Sequence, residues 1–240
     1  MEIGMNWKVK WDILIDKLSN DYYVKILLQG LGNTVKIAVI GLLIGILIGT
    51  LIASVKVAPK YNVFIKVLDK ICTFYTALFR GTPMIVQLLV TYYVLLPMMG
   101  VSVDKLTIGI IVFGMNSGAY CSEIMRSGIQ SIDIGQMEGA RSIGLSYGAS
   151  MIKIIIPQAI KNILPTLGNE FISLIKETSV LSFITIVDLY KALTMISTAN
   201  QQYEFVMPYL LLGLIYIVLV ALISLLVKLL EKKLSQGKKA

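Results

Sequence analysis

The stretch that decides the fold is Glu138-Gly139-Ala140-Arg141-Ser142-Ile143-Gly144, followed after nine residues by Ile154-Ile155-Ile156-Pro157. It is polar, yet it lies between two apolar runs of membrane-spanning length. Glu138 and Arg141 stand three residues apart, so both can lie on one face of a short helix. Gly144 permits a sharp exit from that helix. The pattern predicts a short helix that projects from a membrane-embedded chain.

The composition indicates a membrane protein. Of the 240 residues, 56% are hydrophobic and 15% are charged, and the mean hydropathy is +0.79. Soluble domains have about 45–50% apolar and about 25% charged residues. The apolar runs are continuous rather than alternating, and a helix satisfies its own backbone hydrogen bonds in lipid. The sequence therefore predicts an all-α polytopic membrane protein.

About five transmembrane helices are predicted, since a helix needs about 20 apolar residues to cross the hydrocarbon layer. The spans lie at about 26–55, 83–99, 106–125, 149–172 and 205–230, and a semi-polar helix from Val63 precedes the second. Pro157 and Pro165 interrupt the fourth span, which we expect to be kinked or partly re-entrant. The polar stretch around Glu138 lies between spans three and four.

One domain is predicted, because the chain shows no internal repeat. We expect a transmembrane domain at 26–230, with its polar loop at about 131–148. An interfacial or extracytoplasmic segment at 1–25 precedes it, and a basic cytoplasmic tail at 231–240 follows. Trp7 and Trp11 lie in the first segment, where aromatic side chains favour a membrane interface and an amphipathic helix is possible.

The distribution of charge predicts the orientation. The net charge is +8, and lysine and arginine concentrate in the loops on one side, for example at Lys60, Arg141 and Lys232. Loops on the opposite side carry more acidic than basic residues. Cytoplasmic loops are the ones enriched in lysine and arginine. This predicts an extracytoplasmic N-terminus, a cytoplasmic C-terminus and a cytoplasmic position for the Glu138 loop.

Several kinds of chemistry are excluded. The chain has no histidine, which removes the usual zinc sites and the nucleophile pairs that depend on histidine. Cys72 and Cys121 lie in or beside apolar segments and predict packing rather than a disulfide framework. No G-x4-G-K-[S/T] segment is present to cradle nucleotide phosphates. We expect no catalytic residue, no metal site and no cofactor in this chain.

Small residues recur at helical spacing in two predicted spans. The positions are Gly41, Gly45, Gly49 and Ala53 in the first span, and Gly114, Gly118 and Ser122 in the third. Such spacing lets helix backbones approach closely in lipid. We expect packing inside the helix bundle, with a contact between subunits as the alternative.

The Glu138 stretch resembles the EAA loop of bacterial ABC importer membrane subunits, E-A-A-x3-G-x9-I-x-L-P, with Gly139 and Ile156 as the two departures. Three further segments resemble polar amino acid uptake permeases, in the same order. Residues 80–88 are similar to R-G-T-P-L-x-x-Q-L, residues 119–129 to A-Y-x-x-E-x-x-R-G-G-I, and residues 169–181 to N-x-x-[I/V]-x-L-x-K-[D/E]-T-S-L. The resemblance covers about residues 30–230.

The resemblance implies a transmembrane permease subunit of a polar amino acid importer with the type I importer fold. The implied partners are a second permease subunit, identical or homologous, two cytoplasmic ATPase subunits that bind ATP and Mg, an extracytoplasmic amino-acid-binding protein, membrane lipid and the amino acid substrate, without nucleic acid. The Glu138 loop would be a coupling helix that receives force from the ATPase. Its implied ATPase-coupling residues are Gln136, Glu138, Gly139, Ala140, Arg141 and Gly144. The implied location is the bacterial cytoplasmic membrane.

Polar groups at membrane depth indicate a substrate pathway, because they cost about 2.5–3.5 kcal/mol on insertion scales and usually face a cavity or a partner. The candidates are Gln87, Asn169, Glu170, Lys176, Thr178, Ser179 and Asp188. Asn169 and Glu170 can accept hydrogen bonds from a substrate ammonium, whereas Lys176, Thr178 and Ser179 can donate to its carboxylate. The alternative for Lys176 is an interfacial or intersubunit ion pair with Glu177. Arg80 and Glu123 are interpreted as structural polar residues.

Two other functions compete with the importer subunit. A stand-alone secondary carrier or channel would need a complete pathway within one chain, often built from internal repeats. A membrane anchor without transport activity would not require the interrupted fourth span or the buried polar residues. Within the importer interpretation, related permeases carry cystine, glutamine or basic amino acids, and fold likeness does not choose among these substrates.

Overall fold

The structure is a computed structural model that describes residues 6–199 and 204–236. The α-helices are α1 (Trp7–Leu18), α2 (Asp21–Val57), α3 (Val63–Gly81), α4 (Met84–Val90), α5 (Leu96–Met98), α6 (Lys105–Gln130), α7 (Ile134–Ser142), α8 (Tyr147–Ser150), α9 (Ile156–Glu177), α10 (Leu189–Ser197) and α11 (Val206–Gln236). π-Helical turns at Thr91–Leu95 and Met151–Ile155 join α4 to α5 and α8 to α9, and a 3-10 helix at Thr178–Ile184 follows α9. The all-α prediction is confirmed.

Membrane-spanning helices occur in two forms. In the described residues, α2, α6 and the part of α11 at Val206–Lys233 are each long and apolar enough to cross a membrane alone. Two further spans are bent pairs: Val63–Gly81 with Met84–Met98 at 105°, and Tyr147–Ile184 with Leu189–Ser197 at 53°. The five predicted spans correspond to the count in which each bent pair is one span. The sequence did not predict α10.

Close packing of α2 against α6 forms the centre of the bundle. A Cβ added to Gly45 would lie 2.5 Å from Ser117 Oγ, and one added to Gly49 would lie 2.6 Å from Cys121 Cβ. Both separations are shorter than van der Waals contact allows, so any residue other than glycine at these positions would force the helices to shift. Cys121 is buried and its thiol is free, which agrees with the prediction that it packs inside the bundle. The predicted packing of small residues inside the bundle is therefore confirmed.

Helix α1 lies against the far end of α10. The buried Lys17 amine donates hydrogen bonds to the carbonyls of Ile196 at 2.9 Å and Ser197 at 3.4 Å. Burial lowers the pKa of Lys17, while the charge of Glu204 raises it. Trp7 and Trp11 remain exposed on α1. The predicted helix in the N-terminal segment is present, and residues 1–5 of that segment lie outside the described residues.

The C-terminal helix is longer than the predicted span. It runs through Gln236 and so continues into the segment predicted as a basic tail. Residues 237–240 of that tail lie outside the described residues.

Candidate coupling surface and translocation face

Helix α7 forms from the polar stretch around Glu138, and capping interactions fix both of its ends. The Asp133 carboxylate accepts a hydrogen bond from the Gly135 amide at 2.6 Å at the N-terminus. At the C-terminus Gly144 has φ of 88°, and its amide donates to the Arg141 carbonyl, while the Leu145 amide donates to the Ala140 carbonyl. This pair of bonds is a Schellman motif, which requires a left-handed residue that glycine supplies without strain.

The outer surface of α7 is exposed and partly apolar. Ile134 and Ile143, which flank the helix, are 74% and 77% exposed. Glu138, Gly139 and Arg141 are also exposed. We call these five residues the coupling face. Among the remaining predicted coupling residues, Gln136 is exposed, Gly144 makes the terminal turn, and Ala140 is buried and anchors the helix.

Side-chain hydrogen bonds join α7 and the turn before it to α9. The Gln158 amide on α9 donates to Gln136 Oε1 at 3.3 Å and to the Ile154 carbonyl at 3.0 Å. The Asn162 amide donates to Ser131 Oγ at 2.9 Å. A displacement of α7 therefore reaches α9 through two lateral contacts as well as through the chain.

Gln87, a predicted pathway residue, holds the break between α3 and α4. Its Nε2 group donates to the carbonyls of Phe79 at 2.8 Å and Thr82 at 3.0 Å, and contacts Thr82 Oγ1 at 2.9 Å. Its Oε1 atom accepts a hydrogen bond from the Asn116 amide at 2.9 Å. Both ends of the Gln87 amide are thus engaged in supporting the 105° bend of this span.

Asp188, Thr178 and Ser179 lie in the corner between α9 and α10. The fully buried Asp188 carboxylate caps α10 by accepting from the amides of Tyr190 and Lys191, each at 3.0 Å. The Thr178 hydroxyl donates to the Ile175 carbonyl at 2.7 Å, and the Ser179 hydroxyl donates to the Lys176 carbonyl at 3.2 Å. In the described structure these three polar groups maintain the path of the backbone at this corner.

A polar stripe runs along one face of α9. Asn169 and Lys176, both predicted pathway residues, are exposed and stand two helical turns apart. Asn162, Thr166 and Ser173 lie on the same face, and together the five positions follow a spacing of four, three, four and three residues. We call these five residues the α9 stripe. The stripe extends roughly 21 Å along the helix from Asn162 to Lys176, with Glu170 half-buried beside it.

The sequence prediction missed three of the five residues in the α9 stripe, namely Asn162, Thr166 and Ser173. The signal that could have found them is the 3.6-residue period of polar side chains within an otherwise apolar span. The two prolines of this span obscured that period, because they suggested an interruption rather than a continuous helical face.

Arg80 and Glu123 belong to an ion-pair cluster. The Glu123 carboxylate accepts from Lys56 at 2.9 Å and from Arg126 at 2.7 Å, and lies 4.0 Å from an Arg80 nitrogen. The Arg80 guanidinium also stands over the Tyr120 ring, 5.6 Å from its centroid. The contact of Arg80 with Glu123 is the longest ion pair in the cluster. The closest partners, Lys56 and Arg126, were not predicted.

Within the described residues, the structure places no group of three or more cysteine, aspartate or glutamate side chains where they could hold a metal ion.

Comparison with known proteins identifies the family. The model of the family described as binding-protein-dependent transport system inner membrane component matches residues 31–236. This chain belongs to that family. An arginine transport system permease protein of Bacillus subtilis (strain 168) is 36% identical over 214 residues, which is 89% of this chain and 94% of that protein. An L-cystine transport system permease protein of the same organism is 30% identical over 228 residues, or 95% of this chain and 92% of that protein.

A solved structure supports the family assignment. The chain matches one described as an amino acid ABC transporter with histidines, with 38% identity and a TM-score of 0.80, over 90% of this chain and 97% of that one. The predicted importer-permease fold is confirmed, and the chain is the membrane subunit of an ATP-driven importer. Membership of this family favours that function over a stand-alone carrier or a membrane anchor.

Proposed function

We propose that this subunit carries polar amino acids into a bacterial cell across the cytoplasmic membrane. The substrate class is supported by the names of relatives, which include arginine and cystine permeases, and by the matched amino acid transporter. In the proposed complex an extracytoplasmic binding protein delivers the amino acid to two membrane subunits. Two separate ATPase subunits bind ATP and Mg on the cytoplasmic side.

The coupling face of α7 carries this proposal. Two isoleucines that are about three-quarters exposed stand at the ends of a short helix whose other exposed residues include Glu138 and Arg141. Fully burying an isoleucine is favourable by about 1.5–3 kcal/mol, so this surface favours a partner with an apolar groove. We assign that groove to the ATPase subunit.

The contacts between α7 and α9 supply a route for force. Closure of the ATPase subunits upon ATP would displace α7, and α9 would follow because Gln136 and Ser131 hold Gln158 and Asn162. ATP can drive transport only if it favours one packing of the helices over the other. The proposed consequence is a shift of the α9 stripe between inward- and outward-facing positions.

The α9 stripe, with Glu170 beside it, is the proposed substrate face. Asn169 and Glu170 offer oxygen acceptors to the ammonium of an amino acid, and Lys176 offers a cation to its carboxylate. These residues lie on one exposed side of one helix, so a second membrane subunit would complete the passage. Gln87, Thr178, Ser179 and Asp188 would support the backbone around that passage rather than contact the substrate.

Reconstitution tests the proposal. The subunit would be assembled with its second permease subunit and its ATPase in proteoliposomes, and the binding protein would be added outside. We expect uptake of labelled arginine, glutamine or cystine that requires both internal ATP and the binding protein. Uptake that persists without ATP and follows an ion gradient would contradict the proposal, as would absence of uptake for a full panel of amino acids.

A further inference from the structure

Helix α2 holds the N-terminal end of α10 through two hydrogen bonds. The Leu189 amide donates to Thr34 Oγ1 at 3.2 Å, and the Asn33 side-chain amide donates to the Val187 carbonyl at 2.8 Å. Thr34 is fully buried, so its contact is shielded from water. More than 150 positions of sequence separate the partners in each bond, so both bonds fix one helix of the bundle on another.

Packing between α10 and α2 is close as well. A Cβ added to Gly30 on α2 would lie 2.6 Å from the Asp188 carbonyl oxygen and 2.8 Å from Ala192 Cβ. Leu189 and Leu193 on α10 are fully buried in an apolar cluster to which tyrosine and leucine side chains of α2 contribute. The N-terminal half of α10 therefore has one defined position on α2.

Helix α1 holds the C-terminal end of α10. The Lys17 side chain is 2% exposed, and its amine donates to the carbonyls of Ile196 at 2.9 Å and Ser197 at 3.4 Å. Carbonyls in the last turn of a helix have no partner within the helix. The charge of the buried Glu204 acts on the same cation. An apolar side chain is often at least as stable at a buried position, so we interpret the lysine as fixing how α1 contacts α10.

The chain between α9 and α10 has an unusual backbone. A 3-10 helix at Thr178–Ile184 follows α9, and Thr185 has φ of 65°. A β-branched residue rarely adopts this left-handed conformation, and strained positions of this kind cluster in segments that switch. The Lys105 amine contacts Thr185 Oγ1. We call residues 178–187 the α9–α10 corner, where the two helices bend by 53°.

Helix α9 is attached to the bundle in a different way. Its Gln158 side chain is bonded to Gln136 on α7. Ala159 and Ile163 of α9 belong to an apolar cluster that also contains Ala53 of α2. Apolar contacts are not directional, so α9 can shift relative to α2 more readily than α10, which is held by hydrogen bonds at both ends.

We propose that Lys17 is a positioning residue for transport, which holds α10 to α1 and α2 so that α9 turns at the α9–α10 corner when α7 moves. With both ends of α10 fixed, the corner must take up the displacement of α9, as a hinge does. The α9 stripe would then change the side to which it faces while α10 stays in place. This inference rests on the proposed route of force from α7 to α9.

Distances between spin labels test the proposal. In the assembled complex with one labelled permease subunit, the first pair of labels would be at Leu28 on α2 and at Thr198 just after α10. The second pair would be at Leu51 on α2 and at Ile160 on α9, and all four positions are exposed. When a non-hydrolysable ATP analogue is added, we expect the second distance to change and the first to stay constant.

Lys17→Met removes both donated hydrogen bonds and keeps an unbranched side chain. We expect the Leu28–Thr198 distance to become dependent on nucleotide, and uptake per ATP to fall about fivefold, as for the loss of one hydrogen bond. Lys8→Met, which removes the same charge from an exposed position of α1, should change neither quantity. A purely structural role for Lys17 would lower the thermal unfolding midpoint without making the distance depend on nucleotide.

Other outcomes would separate this proposal from the route on which it rests. A change in the Leu28–Thr198 distance in the wild type would overturn the proposal, because α10 would not be fixed, and an equal change in the second pair would leave the α7–α9 route standing. If neither distance changes, the route fails and the proposal fails with it. A Lys17→Met complex with normal uptake per ATP, or with a constant Leu28–Thr198 distance, would remove Lys17 from this role. Amino acid uptake by the wild type in the same proteoliposomes tests the proposed function separately.

Discussion

The Gln158 amide in the first turn of α9 donates a hydrogen bond to Gln136 Oε1 on α7 at 3.3 Å. This bond joins the helix that carries the coupling face to the helix that carries the α9 stripe. The two residues stand 22 positions apart in the chain. Their contact therefore links α7, which the ATPase would displace, directly to the proposed substrate face on α9.

Removing this attachment should weaken coupling. In Gln158→Ala we expect ATP hydrolysis to continue while amino acid uptake per ATP falls up to about fivefold, since one neutral hydrogen bond contributes about 1 kcal/mol. The measurement is the ratio of uptake to hydrolysis in proteoliposomes. Ser142→Ala, whose hydroxyl donates only to the Gly139 carbonyl within α7, is the matched control. An unchanged ratio in Gln158→Ala would show that the contact between Gln158 and Gln136 does not carry the force.

The coupling helix itself should be essential. Combining Glu138→Lys with Gly144→Pro reverses a charge on the coupling face and forbids the left-handed turn, because proline fixes φ near −65° whereas Gly144 has φ of 88°. We expect uptake to be lost while the membrane bundle stays folded. Uptake and the thermal unfolding midpoint of the purified subunit are the two measurements. Normal uptake by this double variant would remove α7 from the mechanism.

Gly139 is the departure from alanine in the EAA pattern, and the structure shows space for the missing methyl group. A Cβ added there meets nothing within 4 Å. Gly139→Ala should therefore stabilise α7 by up to about 1 kcal/mol, which is the difference in helix propensity. Slower amide hydrogen exchange of residues 134–142 in Gly139→Ala would confirm this stabilisation. Gly144→Ala should destabilise α7, because Gly144 has a positive φ that alanine adopts only with strain. Faster amide exchange in Gly139→Ala would contradict the prediction.

Glu170 beside the α9 stripe should contribute to substrate affinity. Glu170→Gln keeps the size of the side chain but removes the charge that would attract a substrate ammonium. We expect the KM for uptake to rise about tenfold, equivalent to ~1.4 kcal/mol, with a smaller change in the maximal rate. Glu177→Gln near the end of α9 is the control for general loss of charge. An unchanged KM for every transported amino acid would remove Glu170 from the substrate face.

The α2–α6 contact should be intolerant of small increases in volume. In Gly49→Ala the new Cβ would lie 2.6 Å from Cys121 Cβ and 2.8 Å from the Ser122 backbone nitrogen, which cannot move independently. We expect the free energy of unfolding of Gly49→Ala to fall by about 1–3 kcal/mol because of overpacking. Gly32→Ala on the same helix meets nothing within 4 Å and should be neutral or stabilising. Equal thermal midpoints for the two variants would contradict the assigned packing.

Local features of the sequence were enough to predict the family and the helices other than α10. The length of each apolar run, the cap-forming Asp133 and Gly144, and the four-residue spacing of Gly45 and Gly49 are properties of short segments. Helix formation in lipid depends mainly on such segments, because each helix satisfies its own backbone. The α1 helix, the coupling helix and the packing of small residues between α2 and α6 were therefore predictable.

The roles of individual polar residues were decided by tertiary structure. Gln87 meets Asn116 from 29 positions away, and Lys56 meets Glu123 from 67 positions away. The sequence determined which polar side chains must be satisfied inside the membrane. It could not determine their partners, because hydrogen bonds and ion pairs act over a few ångströms and only folding brings such distant residues together.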